Sequence, residues 1–238
     1  MKPVTNQDSS AQALDPLERY VPLLFKIAVY VLLTLVFYQA ETTFIQYHPG
    51  QYWPGFLAVL RSLIFLPLHE GGHFLFMFFG RTLYILGGSF WQIMFPFLWF
   101  LIALRQRSEV APFALFWMGE NMMDVSLYIR DAAYRALPLL GGDSSGHDWF
   151  NLLSSWHAVP MADDIADIVY YLGFIISAGS IVAGFLLAFI RFFKSASKVP
   201  VVVPSGSVSR EKLELEEKLN EALRTKKEEG NVANKQGL

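Results

Sequence analysis

Blocks of about twenty apolar residues, separated by polar stretches, recur along this chain of 238 residues. A run of that length is what an α-helix needs to cross the hydrocarbon core of a bilayer. Backbone polar groups find no water there, so each crossing segment must satisfy its own hydrogen bonds as a helix. The pattern predicts an all-α polytopic membrane protein. The blocks are Val21–Tyr38, Gly55–Phe79, Thr82–Leu104, Val110–Ile129 and Ile165–Ile190.

The third block leaves the expected number of transmembrane helices at four or five. Within residues 82–104 the apolar run is interrupted by Gly87-Gly88-Ser89 and Pro96, and glycine and proline both weaken a helix. The segment is therefore either a kinked span or a re-entrant, strand-like segment followed by a half-span. Basic residues do not distinguish the two sides if five segments cross. Four crossings place the basic flank after Ile190, and with it the C-terminal tail, in the cytoplasm.

Composition divides the chain into three parts. Residues 1–20 are polar, residues 21–190 contain the apolar blocks, and residues 191–238 form a linker and a charged tail. Leucines recur at helical spacing among Glu and Lys in the tail, which predicts an amphipathic helix through which homo- or hetero-oligomers can form. The alternative is a solvated tail, because so thin an apolar stripe associates weakly.

Charge and cysteine content exclude several classes of function. The formal net charge is -2, from 19 basic and 21 acidic side chains, and it lacks the basic excess that nucleic-acid binding requires. Cysteine is absent, which excludes disulfides, thiolate metal sites and cysteine nucleophiles. A metal ion in this chain would need His and carboxylate ligands.

The second block contains His69-Glu70-Gly71-Gly72-His73, an H-E-x-x-H match. On a helix the two histidines project from one face, so both imidazoles can bind one Zn²⁺ while Glu70 reaches a water molecule beside it. The chain has only five His, so chance rarely produces this match. A divalent cation would also satisfy three polar side chains that are costly in hydrocarbon. The alternative is a pair of packed histidines beside a protonated Glu70.

A catalytic zinc site needs a third protein ligand and an open coordination position. Glu120 and Asp124 lie four residues apart in the fourth block, at a depth similar to that of His69 in the second block. Residues at this spacing share one face of a helix. The pair E-x-x-x-D is therefore the candidate to complete the site.

The combination of H-E-x-x-H and a downstream E-x-x-x-D resembles the glutamate-zincin pattern. An H-E-x-x-H within a membrane segment, followed by the glycine-rich block GRTLYILGGSFWQIMFP and a polar helix, is similar to the site-2-protease group of intramembrane zinc metallopeptidases. That group usually supplies an Asp from an N-x-x-P…D-G motif on a later span. This chain has Asn121 and Asp124 but neither the Pro nor the D-G. The resemblance covers residues 55–130.

The resemblance implies that His69 and His73 are zinc ligands and that Glu70 is the catalytic general base. It implies Glu120 as third ligand, with Asp124 as its outer partner or its replacement. The activity implied is that of an integral-membrane metallopeptidase, in the cell membrane or a bacterial inner membrane, hydrolysing peptide bonds of membrane-embedded or juxtamembrane polypeptides. A divalent-metal transporter and a non-catalytic relative are the alternatives. The small number of spans weighs against transport, and the intact Glu70 favours catalysis.

Four further polar residues have weaker claims to a function. His147 and Asp148 can supply a replacement ligand, a transition-state donor or a contact at a substrate gate, or else cap an interfacial turn anchored by Trp149. Gln92 can hydrogen-bond an extended substrate, since cleavage requires an unwound peptide, or can simply pack in the core. Arg61 is expected to pair with a carboxylate or to reach the membrane interface.

Overall fold

A computed structural model describes residues 16–45, 55–140, 142, 144–196 and 212–221. Across these residues all regular structure is helical, which confirms the predicted all-α fold class. The chain divides into two compact units, residues 15–193 and residues 1–14 together with 194–238. The predicted membrane domain at 21–190 falls within the first unit.

The described residues up to 196 contain seven α-helices. In chain order they are α1 (Pro16–Ile45), α2 (Gly55–Leu60), α3 (Leu66–Phe76), α4 (Arg81–Arg105), α5 (Ala111–Arg130), α6 (Asp148–Ser155) and α7 (Ala162–Ala196). A π-helical turn at Arg61–Phe65 joins α2 directly to α3. Within the part of the chain that the structure describes, four segments are long and apolar enough to cross a membrane, namely Tyr20–Thr42, Ala58–Phe79, Arg81–Arg105 and Val159–Ser195.

Helix α5 is the enclosed helix of the bundle rather than one of these four segments. Fourteen of its twenty residues are buried, whereas at most 33% of the apolar window of any candidate span is buried. It packs against α4, α1 and α6. A helix surrounded by other helices does not need an apolar surface towards lipid, so α5 can carry Glu120, Asn121 and Asp124 at its centre.

Helix α4 runs without interruption from Arg81 to Arg105. The re-entrant, strand-like alternative for residues 82–104 is therefore not the one that the structure has. The glycines that suggested it are buried in the contact between α3 and α4, where a Cβ at Gly87 would lie 2.7 Å from Cβ of Phe76. Small residues let two helices approach closely, and this contact stabilises a helix that the glycines alone would weaken.

The second unit is described at residues 194–196 and 212–221. Residues 212–221 form a helix that is exposed along its whole length. Its proposed role in oligomer formation stays a prediction. Residues 1–15 of the predicted N-terminal segment and most of the predicted linker lie outside the described residues.

A buried contact joins α1 to α7. Tyr30 of α1 packs in one apolar cluster with Phe116 of α5 and Ile181 of α7. Gly184 of α7 lies directly against this tyrosine, because a Cβ at that position would be 2.0 Å from Cε1 of Tyr30. Gly179 of the same helix has no neighbour within 4 Å of the corresponding position. The two glycines therefore differ in packing although they lie on one helix.

We expect Gly184→Ala to lower the free energy of unfolding by about 1–3 kcal/mol, the usual cost of forcing an extra group into a packed core. Gly179→Ala is the matched control and should be neutral or slightly stabilising, since Ala favours a helix by up to about 1 kcal/mol over Gly. Thermal unfolding of both variants in the same detergent measures the difference. Equal midpoints for the two variants would contradict the described contact between α1 and α7.

Candidate metal centre

Two histidines and one aspartate from distant parts of the sequence meet at one point. His69 and His73 lie one turn apart on α3, and Asp148 is the first residue of α6. Oδ2 of Asp148 lies 2.9 Å from Nε2 of His69 and 3.2 Å from Nε2 of His73. The side chains are 8%, 12% and 14% exposed, in chain order. Their ligand atoms all lie within 4.8 Å of one another, and we call this group the His-His-Asp cluster.

The second nitrogen of each imidazole faces an oxygen that accepts hydrogen bonds. Nδ1 of His73 lies 2.8 Å from the backbone carbonyl oxygen of Tyr84, and Nδ1 of His69 lies 3.2 Å from Oε1 of Gln92. Nε2 of Gln92 donates to Oδ2 of Asp124 at 2.8 Å, which fixes the orientation of the amide. Both histidines therefore carry a proton on Nδ1. In a neutral imidazole this leaves the lone pair of Nε2 pointing into the cluster.

Three electron-pair donors thus converge at the cluster. Two neutral imidazole nitrogens and a carboxylate oxygen repel one another at these distances unless a proton or a metal cation lies between them. The hydrogen bonds from Nδ1 to outer oxygens are the usual arrangement around histidine ligands of a metal ion. The cluster is therefore a candidate metal site, and its two nitrogens and one oxygen suit several divalent transition-metal ions.

The Asp148 carboxyl is kept in the form that binds metal. Burial raises the pKa of this carboxyl, but its interactions with the neighbouring His69 and His73 lower it by more, so its pKa lies below its usual range. Tyr128 of α5 supports the same residue, because its hydroxyl accepts a hydrogen bond of 3.0 Å from the backbone N–H of Asp148. The ring of Tyr128 also packs against His69 with centroids 5.6 Å apart. The cluster is held from α5 as well as from α3 and α6.

A row of polar side chains extends from the cluster into the bundle. Asp124 accepts the hydrogen bond from Gln92 and also forms an ion pair with Arg61, Nε to Oδ1, at 3.2 Å. This pairing confirms the expectation that Arg61 meets a carboxylate. The row runs from Arg61 through Asp124 and Gln92 to His69, so the orientation of one ring depends on three partners.

A glycine of α4 faces the cluster directly. A Cβ at Gly88 would lie 2.6 Å from Nε2 of His69 and 2.7 Å from Nε2 of His73. At Gly72, the residue before His73 on α3, a Cβ would lie 2.2 Å from the backbone oxygen of Gly87. The backbones of α3 and α4 therefore touch, and a side chain at position 88 would collide with Nε2 of both histidines.

A cavity of about 450 Å³ lies beside the cluster. Its volume is within the range of pockets that enclose small ligands or a segment of peptide. All three cluster residues line it, together with Glu70, which is exposed. The remaining lining residues are Arg61, Leu66, Tyr84, Gln92, Asp124, Tyr128, Pro138, Leu139, Leu140, Ser145 and Gly146. The cavity thus combines a candidate metal site with a free carboxylate and apolar wall.

Glu120 does not take the place predicted for it as third ligand. It is 4% exposed, and its carboxyl interacts with Ser177 of α7. Tyr128, which contacts Asp148, lies two turns further along α5, about 12 Å along the helix axis. Glu120 is therefore at the wrong depth to join the histidines, and Asp148 lies in the position predicted for it.

The other predicted residues lie around the cluster rather than in it. Asp124 and Gln92 stand behind His69, and Gln92 is 2% exposed with both ends of its amide engaged, so it does not present a donor to substrate. His147 is fully buried, and its ring nitrogens face Oδ2 of Asp131 and the backbone N–H of Phe150. It is therefore not brought to the metal position.

The sequence placed Asp148 only among the weaker candidates for the metal site, and it did not indicate the contacts that Tyr84 and Tyr128 make with the cluster. Asp148 had a recognisable signal, because a carboxylate at the first position of an amphipathic helix after a glycine-rich turn is well placed to point at a neighbouring group. The backbone oxygen of Tyr84 had none, since any residue type supplies a carbonyl.

Comparison of the chain with protein-family models, with curated proteins and with solved structures finds no match in any of the three. The fold and the cluster together define an all-α polytopic protein with a candidate metal centre.

We expect the purified protein to hold one divalent metal ion per chain and Asp148→Ala to reduce its affinity by more than about 100-fold, because loss of a direct ligand exceeds the ten- to 100-fold effect of losing an outer partner. Glu120→Ala is the comparison, and it should retain the metal. Elemental analysis and titration against a competing chelator measure both. Metal loss in the Glu120 variant with full retention in the Asp148 variant would restore the predicted ligand set.

We also expect Gly88→Ala to reduce metal affinity, because the added methyl group would contact Nε2 of both histidines. Gly71→Ala is the matched control within the H-E-x-x-H motif, since nothing lies within 4 Å of its Cβ position. The same chelator titration compares the two variants. Wild-type metal affinity in Gly88→Ala would contradict the close approach of α4 to the two Nε2 atoms.

Proposed function

We propose that the protein is an integral-membrane, zinc-dependent metallopeptidase that hydrolyses peptide bonds of membrane-embedded or juxtamembrane polypeptides. The observation that carries the proposal is the convergence of His69, His73 and Asp148 in a cavity that Glu70 also lines. Three protein ligands and an accessible side are typical of catalytic zinc sites, whereas structural sites have four protein ligands. The four apolar helices support a membrane location.

His69, His73 and Asp148 would hold the ion, which would lower the pKa of water in the cavity and polarise a peptide carbonyl. Glu70 supplies the proton transfers. Its carboxylate accepts a proton from water while the water oxygen bonds to the carbonyl carbon, and it returns that proton to the amide nitrogen as the C–N bond breaks. The products are a carboxyl group, which contains the water oxygen, and an amine, which contains the proton that Glu70 transferred.

The residues behind the cluster would keep its geometry fixed during the reaction. The Tyr84 carbonyl and the Gln92 amide hold the imidazoles by Nδ1, and Asp124 holds Gln92. Bonds to outer partners of this type fix ring orientation and raise the basicity of the ligand nitrogen. Preorganised groups need no rearrangement as charge develops on the substrate.

The cavity favours an apolar, extended substrate segment. Leu66 lines it from α3, and Pro138, Leu139 and Leu140 line it from the connection between α5 and α6. A transmembrane helix has its carbonyls in internal hydrogen bonds, so a substrate must unwind locally before a peptide bond can reach the cluster. The proposal therefore includes a polypeptide substrate with apolar residues around the scissile bond.

The location proposed for the C-terminal tail is the cytoplasm. Arg191, Lys194 and Lys198 follow the last apolar block, and basic residues next to a membrane segment favour the cytoplasmic side.

We expect Glu70→Gln to reduce hydrolysis of a pool of quenched fluorescent peptides with apolar centres by about 10²–10⁴-fold, the usual contribution of a general base. Metal content should stay at the wild-type value, because Glu70 is not among the cluster residues. Glu216→Gln, the same change on the exposed tail helix, is the matched control. Loss of metal together with activity would make Glu70 a ligand instead.

The same preparation distinguishes the alternatives. Wild-type protein that cleaves no peptide but carries divalent metal into sealed vesicles would be a transporter. Protein that holds metal and does neither would be a non-catalytic binding protein. Either outcome would overturn the proposed peptidase while leaving the His-His-Asp cluster as a metal site.

A further inference from the structure

A buried pair, Asp131 and His147, links the end of α5 to the residue directly before the cluster aspartate. Oδ2 of Asp131 and Nε2 of His147 are 3.1 Å apart, and both side chains are 0% exposed. Asp131 directly follows α5, and His147 directly precedes α6. The carboxylate of Asp131 also accepts hydrogen bonds from the backbone N–H groups of Ala136 and Leu137, at 3.1 and 3.0 Å. The pair therefore joins both ends of the connection between the two helices.

The other nitrogen of His147 caps α6. Its Nδ1 accepts a hydrogen bond of 3.2 Å from the backbone N–H of Phe150. With Nδ1 as acceptor, Nε2 carries the proton and donates it to Asp131. One side chain thus fixes the first turn of α6 and ties that turn to the end of α5. Asp148 is the first residue of the turn so fixed.

The same pair closes the segment that lines the cavity. Five residues of the connection, Pro138, Leu139, Leu140, Ser145 and Gly146, belong to the cavity wall. They lie between Asp131 and His147 in the sequence. Closing a loop at its base restricts where its residues can go, so the pair orders this part of the wall as well as α6.

We propose that Asp131 and His147 form a clasp that positions Asp148 for metal binding and holds the cavity wall between them. The proposal rests on the proposed metal site. Both residues are positioning residues, since they act on Asp148 through the start of α6 and do not belong to the cluster. The clasp acts by setting where α6 begins relative to α5, and α5 carries Tyr128, whose hydroxyl meets the backbone N–H of Asp148.

Loss of the clasp should weaken the site without abolishing it. A second hydrogen bond, from Nε1 of Trp149 to Oγ of Ser89 at 3.0 Å, attaches α6 to α4 independently of the clasp. Helix α6 would therefore stay docked while Asp148 loses its fixed direction. The expected decrease in metal affinity is about ten- to 100-fold, the range seen when an outer partner of a ligand is removed.

Two substitutions at His147 separate the clasp from the helix cap. The shorter His147→Asn can still accept from the N–H of Phe150 but does not reach Asp131, whereas the longer His147→Gln can donate to Asp131. We expect the Asn variant to lose ten-fold or more in metal affinity and the Gln variant to recover most of it. His157→Asn is the control, because His157 is exposed and its φ of 55° suits Asn.

Zinc titration against a chelator gives the affinities, and the visible absorption spectrum of the Co²⁺-substituted protein reports ligand geometry. A changed Co²⁺ spectrum in His147→Asn, restored in His147→Gln, is the expected result. An Asn variant with wild-type affinity and spectrum would show that the cap alone suffices and would overturn the clasp. If that variant does not fold, Asp131→Asn takes its place and is judged by the same two readouts.

Hydrogen exchange separates failure of the clasp from failure of the metal site. If wild-type protein binds no metal, the proposed function fails, but amides of residues 148–152 should still exchange faster in His147→Asn than in wild type or His157→Asn. Unchanged exchange in that case would overturn the clasp as well. Faster exchange would support it as the contact that fixes the start of α6.

Discussion

Polar side chains enclosed by apolar helices must find their partners among themselves, because neither lipid nor a packed core offers hydrogen bonds. The row from Arg61 through Asp124 and Gln92 to His69 meets this requirement, with a donor facing an acceptor at each step. Removing one member leaves a neighbour buried and unpaired, at a cost of about 1–3 kcal/mol. The hydrogen bonds that satisfy the polar groups of the bundle interior are therefore the same bonds that orient the His69 ring.

Close contact between α3 and α4 is the second requirement of the site. The H-E-x-x-H helix approaches α4 through glycine backbone at positions 72, 87 and 88, so the imidazoles reach the Tyr84 carbonyl and Gln92. Larger residues there would separate the helices and break both hydrogen bonds. Helix α6 then completes the cluster with the Asp148 carboxylate, and the bond from Trp149 to Ser89 attaches this helix to α4.

The features that depend on local sequence pattern could be predicted from the sequence alone. The apolar blocks predicted the helical class, and H-E-x-x-H predicted that His69 and His73 share a face, since both follow from the period of a helix. The third member of the cluster depends on tertiary contacts, and spacing alone favoured Glu120 over Asp148. The glycines of α4 suggested an interruption because their weakening effect is local, whereas the packing that compensates for it involves α3.

A π-helical turn at Arg61–Phe65 joins α2 to the H-E-x-x-H helix α3 in one continuous apolar helix. In this turn the backbone N–H of Leu66 bonds to the carbonyl of Arg61. A π turn accommodates one more residue than an α turn, and one residue corresponds to about 100° around the helix axis. The extra residue therefore determines which residues of α2 lie on the same side of the helix as His69 and His73. A length difference of one residue at this turn would rotate α2 against its neighbours while leaving the H-E-x-x-H helix in place.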